Sequence, residues 1–232
     1  VPAAAVVIGF VALAAPMLPS TQWAMVSQEI LASALFVENW LLASRAVDYM
    51  ERGEAPGILQ HYWSLGVEAQ FYLLWPFVVV AAARVAARFR VGVGTAVAVA
   101  AVVAVAIFLP LSAWLTYTNP ARAYFATETR IWEFAIGGVI AAASLRGRLP
   151  GAAAAAMQVL GLAGIVVAAF VFSSETFFPG WVALLPVLAT ALVIAAPTET
   201  PAGKLLACRP PVFIGGISYS VYLWHWPLIV LW

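Results

Sequence analysis

His61-Tyr-Trp-Ser64-Leu-Gly-Val-Glu68-Ala-Gln70-Phe-Tyr72-Leu-Leu-Trp75-Pro76 is the stretch that decides how this chain folds. An apolar run of membrane type begins here and carries a carboxylate, Glu68, inside it. A charged group at the centre of a membrane helix costs about 2.5–3.5 kcal/mol even on the lenient insertion scale, so such a residue is a functional candidate by default. His61 and Glu68 are seven residues apart, which places both on one helix face roughly 10 Å apart along the axis. Ser64, Tyr72 and Trp75 fall near the same stripe. That separation is too long for a direct hydrogen bond, so a ligand or a second helix has to bridge the two groups.

Working outward, apolar periodicity predicts spans at 62–83, 92–117, 130–145 and 151–173, then at 179–196 and 212–232. Upstream, residues 3–18 form a shorter apolar run. Residues 27–45 read as one helix, but Gln28, Glu29, Glu38 and Asn39 require its polar face to turn into a bundle. Residues 46–60 are a polar connection. Pro76, Pro110, Pro186 and Pro227 stand inside apolar runs, where membrane helices tolerate them if neighbours satisfy the freed backbone.

Composition points the same way. The chain is 65% hydrophobic and 9% charged, against about 25% charged for soluble domains. Its mean hydropathy is +0.99. The expected fold class is all-α: a polytopic transmembrane helix bundle of seven or eight helices, forming one domain over residues 1–232. A single cysteine, Cys208, excludes an intrachain disulfide framework and a cysteine-based zinc site. The net charge of +1 comes with no basic groove, so nucleic acid is not an expected partner. Neither a phosphate-cradling glycine loop nor a Gly-X-Ser-X-Gly elbow is present. No metal site is expected from the two histidines. Val1 stands inside an apolar run, so the sequence is expected to be part of a longer protein.

Basic residues set the expected orientation. Arg84, Arg88 and Arg90 share one connection, Arg146 and Arg148 another, and Lys204 and Arg209 a third. These are alternate connections, so they fall on one side, and the 46–60 loop with the C-terminal end falls on the other. His61 and Glu68 then lie toward the outer face.

Two further polar clusters share that side. Tyr124-Phe-Ala-Thr127-Glu128-Thr129-Arg130 precedes Ile131-Trp132-Glu133. Thr127 or Thr129 suits an N-cap, and Arg130 and Glu133 share a face at i, i+3. An arginine here is suited to an acyl or sugar oxygen, or to neutralising Glu68. In Ile217-Ser218-Tyr-Ser-Val-Tyr222-Leu-Trp-His225-Trp-Pro227, the residues Ser218, Tyr222 and His225 follow i, i+4, i+7. Histidine is the usual general acid or base near neutral pH.

These three stretches resemble the acyltransferase-3 family, multi-pass membrane O-acyltransferases that modify cell-envelope polysaccharides. The first is similar to H-x-W-S-L-x-V-E-x-Q-F-Y-L-x-W-P, with Ala69 where many members carry a second Glu. The second is similar to Y-F-x-T-x-T-R-x-W-E-x-x-x-G, and the third to I-S-Y-S-x-Y-L-W-H-W-P. Arg209-Pro-Pro-Val-Phe-Ile-Gly215 matches as well. The resemblance implies a bundle of about ten membrane helices, of which this chain would hold the later ones. A catalytic histidine and its partner arginine would lie on a first helix not contained in this sequence.

It also implies transfer of an acyl group, usually acetyl, from a cytoplasmic acyl-CoA such as acetyl-CoA to a hydroxyl of an extracytoplasmic envelope glycan, a lipopolysaccharide or peptidoglycan. The acyl-CoA is a donor substrate, with no tightly bound cofactor. Membrane lipid is the surrounding partner, and the outward-ending last helix permits an esterase-like extracytoplasmic domain beyond it. The expected catalytic residues are Glu68, His61 and His225. The expected substrate-binding residues are Arg130, Ser64, Gln70, Glu133, Tyr222 and Ser218. Glu68 is expected to orient or deprotonate a catalytic group, and Arg130 to offset negative charge. The competing reading is a transporter or acyl-group channel without transferase chemistry, because intramembrane Glu, Arg and His also mark substrate and proton pathways.

Overall fold

Backbone polar groups in hydrocarbon must be paired within the protein, and helices meet that demand segment by segment. The computed structural model describes residues 2–52, 57–143, 150–173 and 175–231, and among them there are eleven α-helices and no strand. They are α1 Pro2–Ala14, α2 Trp23–Ala34, α3 Glu38–Arg52, α4 Tyr62–Phe89, α5 Val93–Thr118, α6 Pro120–Phe125, α7 Ile131–Ala143, α8 Gly151–Val171, α9 Leu184–Ala195, α10 Pro201–Leu206 and α11 Arg209–Leu231. Four of them, α4, α5, α8 and α11, are long and apolar enough to cross a membrane, and α1, α7 and α9 are shorter apolar helices. The chain is therefore an all-α membrane protein.

Several boundaries differ from the sequence reading. The helix expected over 27–45 is broken at Leu35–Val37. Phe36 adopts a left-handed conformation with φ +57°. The Val37 N–H reaches the Ala32 carbonyl at 2.8 Å and the Phe36 N–H reaches that of Ser33 at 3.2 Å, which together make a Schellman closure. Glycine usually takes that position, so a phenylalanine there gives no warning. The break brings Glu29, Ser33, Glu38 and Asn39 inward, all of them buried.

The polar connection expected at 46–60 is partly helix, because α3 runs on to Arg52. The span expected to end at residue 83 continues to Phe89 through a run of helix-forming Ala and Arg. It stops at Arg90, which is left-handed with φ 55°. Arg146 and Arg148 lie outside the described residues.

Two short helices went unforeseen. Asn119 caps α6 by accepting the Arg122 N–H at 3.1 Å, and Thr200 caps α10 by accepting the Gly203 N–H at 3.0 Å. Both begin with a capping residue followed by proline, a readable start signal.

The helices assemble around two seams. In one, α4 packs on α5, and α5 on α7, which also meets α9; α9 in turn packs on α8. Gly161 and Gly164 allow that last approach: a Cβ added to Gly161 would lie 2.6 Å from the Ala189 carbonyl oxygen. In the other seam, α1, α2, α4 and α11 bury Val7, Val11, Val26, Leu59, Tyr62 and Leu223 around the start of α4. Between α4, α5 and α7 lies an apolar cavity of about 310 Å³, lined by Val67, Phe71, Trp75, Ala104 and Phe134 among others and reaching Thr127 at its polar end.

Candidate active site

The segment that delivers His61 is fixed from two sides before α4 begins. The Leu59 N–H donates to Glu29 Oε2 at 3.1 Å, and the Trp226 indole N–H donates to the Gly57 carbonyl at 2.8 Å. A side chain at Gly57 would collide with the Glu29 carboxylate. Tyr62 extends the anchoring to α1, its hydroxyl donating to the Ala4 carbonyl at 2.9 Å.

So held, the start of α4 meets the middle of α11, and the first and third sequence clusters come together. His61 Nε2 lies 3.1 Å from the Leu223 carbonyl oxygen. The His61 ring is 5.6 Å from that of Tyr222 and 5.6 Å from that of His225. The Tyr222 hydroxyl donates to the His61 carbonyl at 2.5 Å, which uses its only proton. Ser64 Oγ, also 2.5 Å from the Tyr222 oxygen, must therefore be the donor in that bond. His225 Nδ1 sits 2.6 Å from the Tyr222 carbonyl.

A carbonyl only accepts, so these contacts assign the ring protons to His61 Nε2 and His225 Nδ1. Burial, opposed by the Leu223 bond and helped by His225, pushes the His61 imidazole down to about 4, so it is neutral at physiological pH. Its Nδ1 is then a bare lone pair. That atom is buried and has no hydrogen-bond partner among the described residues.

Gln70 belongs to a second network. Its amide N–H₂ donates to the Phe36 carbonyl at 3.0 Å and to Asn39 Oδ1 at 2.9 Å, and its Oε1 accepts from Thr127 at 2.5 Å. Asn39 donates in turn to Thr127 Oγ1 at 2.9 Å and to the Phe125 carbonyl at 3.3 Å. Gly66 lets α3 approach: a Cβ there would lie 2.9 Å from Asn39 Oδ1. This node ties α3, α4 and the 125–127 segment together.

Arg130 is buried where the cluster leads into α7. Its Nη1 pairs with Glu133 at 3.0 Å, the i, i+3 pairing expected from sequence, and its Nη2 donates to the Tyr124 carbonyl at 3.1 Å. The guanidinium carbon lies 4.8 Å from the Phe178 ring centre, 5.3 Å from Trp63 and 5.6 Å from Tyr124. A desolvated cation on aromatic faces gains about 2 kcal/mol. The Thr129 hydroxyl caps nothing; its oxygen lies 2.7 Å from each of the Ala123 and Ala126 carbonyls, which share its one proton.

The remaining expected residues, Glu68 and Ser218, make no hydrogen bond to the His61 junction. Glu68 is half-buried and accepts from the Tyr72 hydroxyl at 2.8 Å, one turn along α4, while the ion pair of Arg130 goes to Glu133. Ser218 is exposed and donates to the Gly215 carbonyl of its own helix at 2.8 Å.

Sequence reasoning overlooked the roles of Trp226 and of the Leu223 carbonyl. It marked Glu29 and Glu38 only as a polar face. Burial raises both carboxyls, and Glu38, with the added repulsion of Glu29, is pushed up to about 9. Among the described residues no group of three or more His, Cys, Asp or Glu side chains is placed to hold a metal ion.

Fold and site together define a polytopic helical membrane protein with a polar junction of histidine, tyrosine and serine built into its bundle. Residues 2–232 match the acyltransferase domain, and the chain belongs to the acyltransferase-3 family. It is 28% identical over 220 residues to the peptidoglycan O-acetyltransferase OatA of Listeria monocytogenes, covering 88% of this chain and 34% of that protein. With the O-acetyltransferase OatA of Staphylococcus aureus it shares 28% over 214 residues, again 88% of this chain and 34% of the relative. With the membrane-bound transacylase BcsY of Komagataeibacter xylinus it shares 34% over 204 residues, 86% of this chain and 49% of the relative. The chain thus spans about a third to a half of the length of these curated relatives. No solved structure matches it.

Proposed function

We propose that this chain is the membrane part of an O-acyltransferase that moves an acyl group, acetyl by likeness to its relatives, from a cytoplasmic acyl-CoA to a hydroxyl of an extracytoplasmic cell-envelope glycan. The observation that carries the reading is the junction of His61, Ser64, Tyr222 and His225, because it joins two family motifs far apart in the chain at one polar point in the bundle. In the transfer, the acyl carbon's bond to the thioester sulfur breaks, its bond to the hydroxyl oxygen forms, and the hydroxyl proton leaves to reach the departing thiolate. A neutral imidazole with a free lone pair suits acceptance of that proton. Arg130, whose guanidinium is held rigid by Glu133 and three rings, suits the placement of a positive charge beside developing negative charge.

The membrane is taken to be the plasma membrane, with His61, Glu68 and the C-terminal end of α11 on the extracytoplasmic side. Arg84, Arg88, Arg90, Lys204 and Arg209 at the opposite helix ends support that orientation.

The test is acetyl-CoA-dependent transfer to isolated envelope glycan by the full-length protein, wild type beside Glu68→Gln at matched membrane abundance. Product from the wild type is the expected result, and a collapse in the variant would place Glu68 in the working site although it bonds to no group of the junction. Product from both removes Glu68 from the working site. No product from the wild type with either acetyl-CoA or longer acyl-CoA donors would overturn the reading.

A further inference from the structure

A helix interior normally offers no free carbonyl, because each is taken by the N–H four residues on. Leu223 in α11 is an exception: the residue four positions later is Pro227, which has no N–H and whose ring pushes the carbonyl of residue i−4 aside. Both residues are buried, so this carbonyl needs a donor from elsewhere. The donor is His61 Nε2–H, from the start of another helix, at 3.1 Å. Pro76 and Pro110 also lie inside spans, yet no described side chain donates to the carbonyls of Tyr72 or Ala106. A cross-helix histidine at the vacated carbonyl is thus particular to Pro227.

The bond does more than hold two helices together. It commits the Nε2 proton to α11 and leaves Nδ1 as the acceptor face of the ring. The Tyr222 hydroxyl, donating to the carbonyl of His61, fixes the same residue's backbone. The titratable groups facing the ring are Tyr62 on its own helix and Tyr222 and His225 on α11. Among the described residues none of them donates to Nδ1, and a buried acceptor without a donor is the kind of atom that marks a working site.

We propose that Pro227 is a positioning residue that acts through His61: by removing its own backbone donor it reserves the Leu223 carbonyl for His61 Nε2–H, and so presents Nδ1 as the hydrogen-bond acceptor for the hydroxyl that receives the acyl group. The inference rests on the acyl-transfer reading for its last step and on geometry alone for the tautomer.

Two measurements separate those parts. Nitrogen-15 NMR of histidine-labelled full-length protein in lipid nanodiscs, with the His61 signals assigned by their loss in His61→Gln, reads the tautomer directly. The expected wild-type spectrum has a protonated Nε2 and an unprotonated Nδ1. Pro227→Ala restores the helical N–H to Leu223, so the His61 tautomers should mix. Acyl transfer should fall roughly tenfold, as when the partner that orients a working histidine is removed.

His61→Gln keeps an amide donor in place of Nε2–H but has no acceptor at the Nδ1 position, and should lose about 100-fold in turnover at near-normal abundance. A wild-type ring protonated at Nδ1, or an unchanged tautomer in a folded Pro227→Ala protein, overturns the proposal. Full transfer by His61→Gln overturns its catalytic step even if the tautomer is as expected. A wild type with the expected tautomer and no transfer overturns the acyltransferase reading instead.

Discussion

Two polar networks lie along the N-terminal part of α4, and only one of them is closed. In the Asn39–Gln70–Thr127 node every side-chain amide and hydroxyl has a partner within the protein. In the junction of α4 with α11, Ser64, Tyr222 and the two histidines are also bonded, but His61 Nδ1 is left over. A completed buried network rigidifies and specifies packing. An incomplete one pays for an unmet acceptor unless something else arrives to meet it. Under the proposed function, the contrast gives the first network an architectural role and the second the chemistry, although Gln70 and His61 come from the same sixteen-residue motif.

The largest expected effect tests the closed node. Asn39→Leu leaves Gln70, Thr127 and the Phe125 carbonyl each short of a partner, and should cost about 3 kcal/mol of stability, since each buried orphan costs about 1–3 kcal/mol. Thermal unfolding in detergent measures this, while acyl transfer per folded molecule should stay near the wild-type value. Lost turnover in a protein of undiminished stability would reverse the assignment and put the node in the site.

Acid and base titration sharpens the comparison further. The His61 imidazole, held at about 4 against an ordinary 6.5, is neutral in the folded protein where the unfolded chain is already protonated. Between about pH 6.5 and 4 the unfolded state binds more protons, so stability is present above this window and falls as the pH falls through it. Glu38, raised to about 9 from 4.5, has the opposite sign. Its native form holds a proton that the unfolded chain has released, so its contribution is complete below 4.5 and is lost as the pH rises toward 9. Between about pH 4.5 and 6.5 the two slopes therefore oppose each other, and from about 6.5 to 9 the downward slope of Glu38 remains. His61→Gln should expose a fall with rising pH across the lower window, and Glu38→Gln should flatten the fall in the upper one.

How much of this was legible depends on the distance along the chain that each feature spans. Period and composition expose the helices, because a run such as Val93–Thr118 carries its signal within itself. The pairing of Arg130 with Glu133 was equally local. The break at Phe36 was not legible, because its left-handed backbone carries no glycine to announce it. The junction lay further beyond reach. His61 and Leu223 are 162 residues apart, and the bond between them goes to a backbone carbonyl, which has no letter of its own in the sequence. Pro227 was the available signal: a proline inside a span frees the carbonyl four residues earlier, and the only open question is which donor arrives. Ser218 misled for a related reason, since i, i+4, i+7 spacing places three residues on one face without stating how much of that face is covered.

The smallest expected effect resolves the junction internally. Tyr222→Phe removes the donor to the His61 carbonyl and the acceptor for Ser64, and should cost about 1.5 kcal/mol; Ser64→Ala should cost about 1 kcal/mol. Because Ser64 donates to Tyr222 and Tyr222 donates to His61, the two losses should overlap. A double-mutant cycle on unfolding stability should return a coupling of about 0.5–1 kcal/mol, the lower part of the range for groups sharing one network. Strict additivity would mean that Ser64 is satisfied by its longer 3.4 Å contact with the His61 carbonyl. Tyr222 would then hold α11 to α4 without help, and the junction would be one group more open than its geometry implies. In that case Ser64, and not only His61, would have a polar atom to offer a substrate.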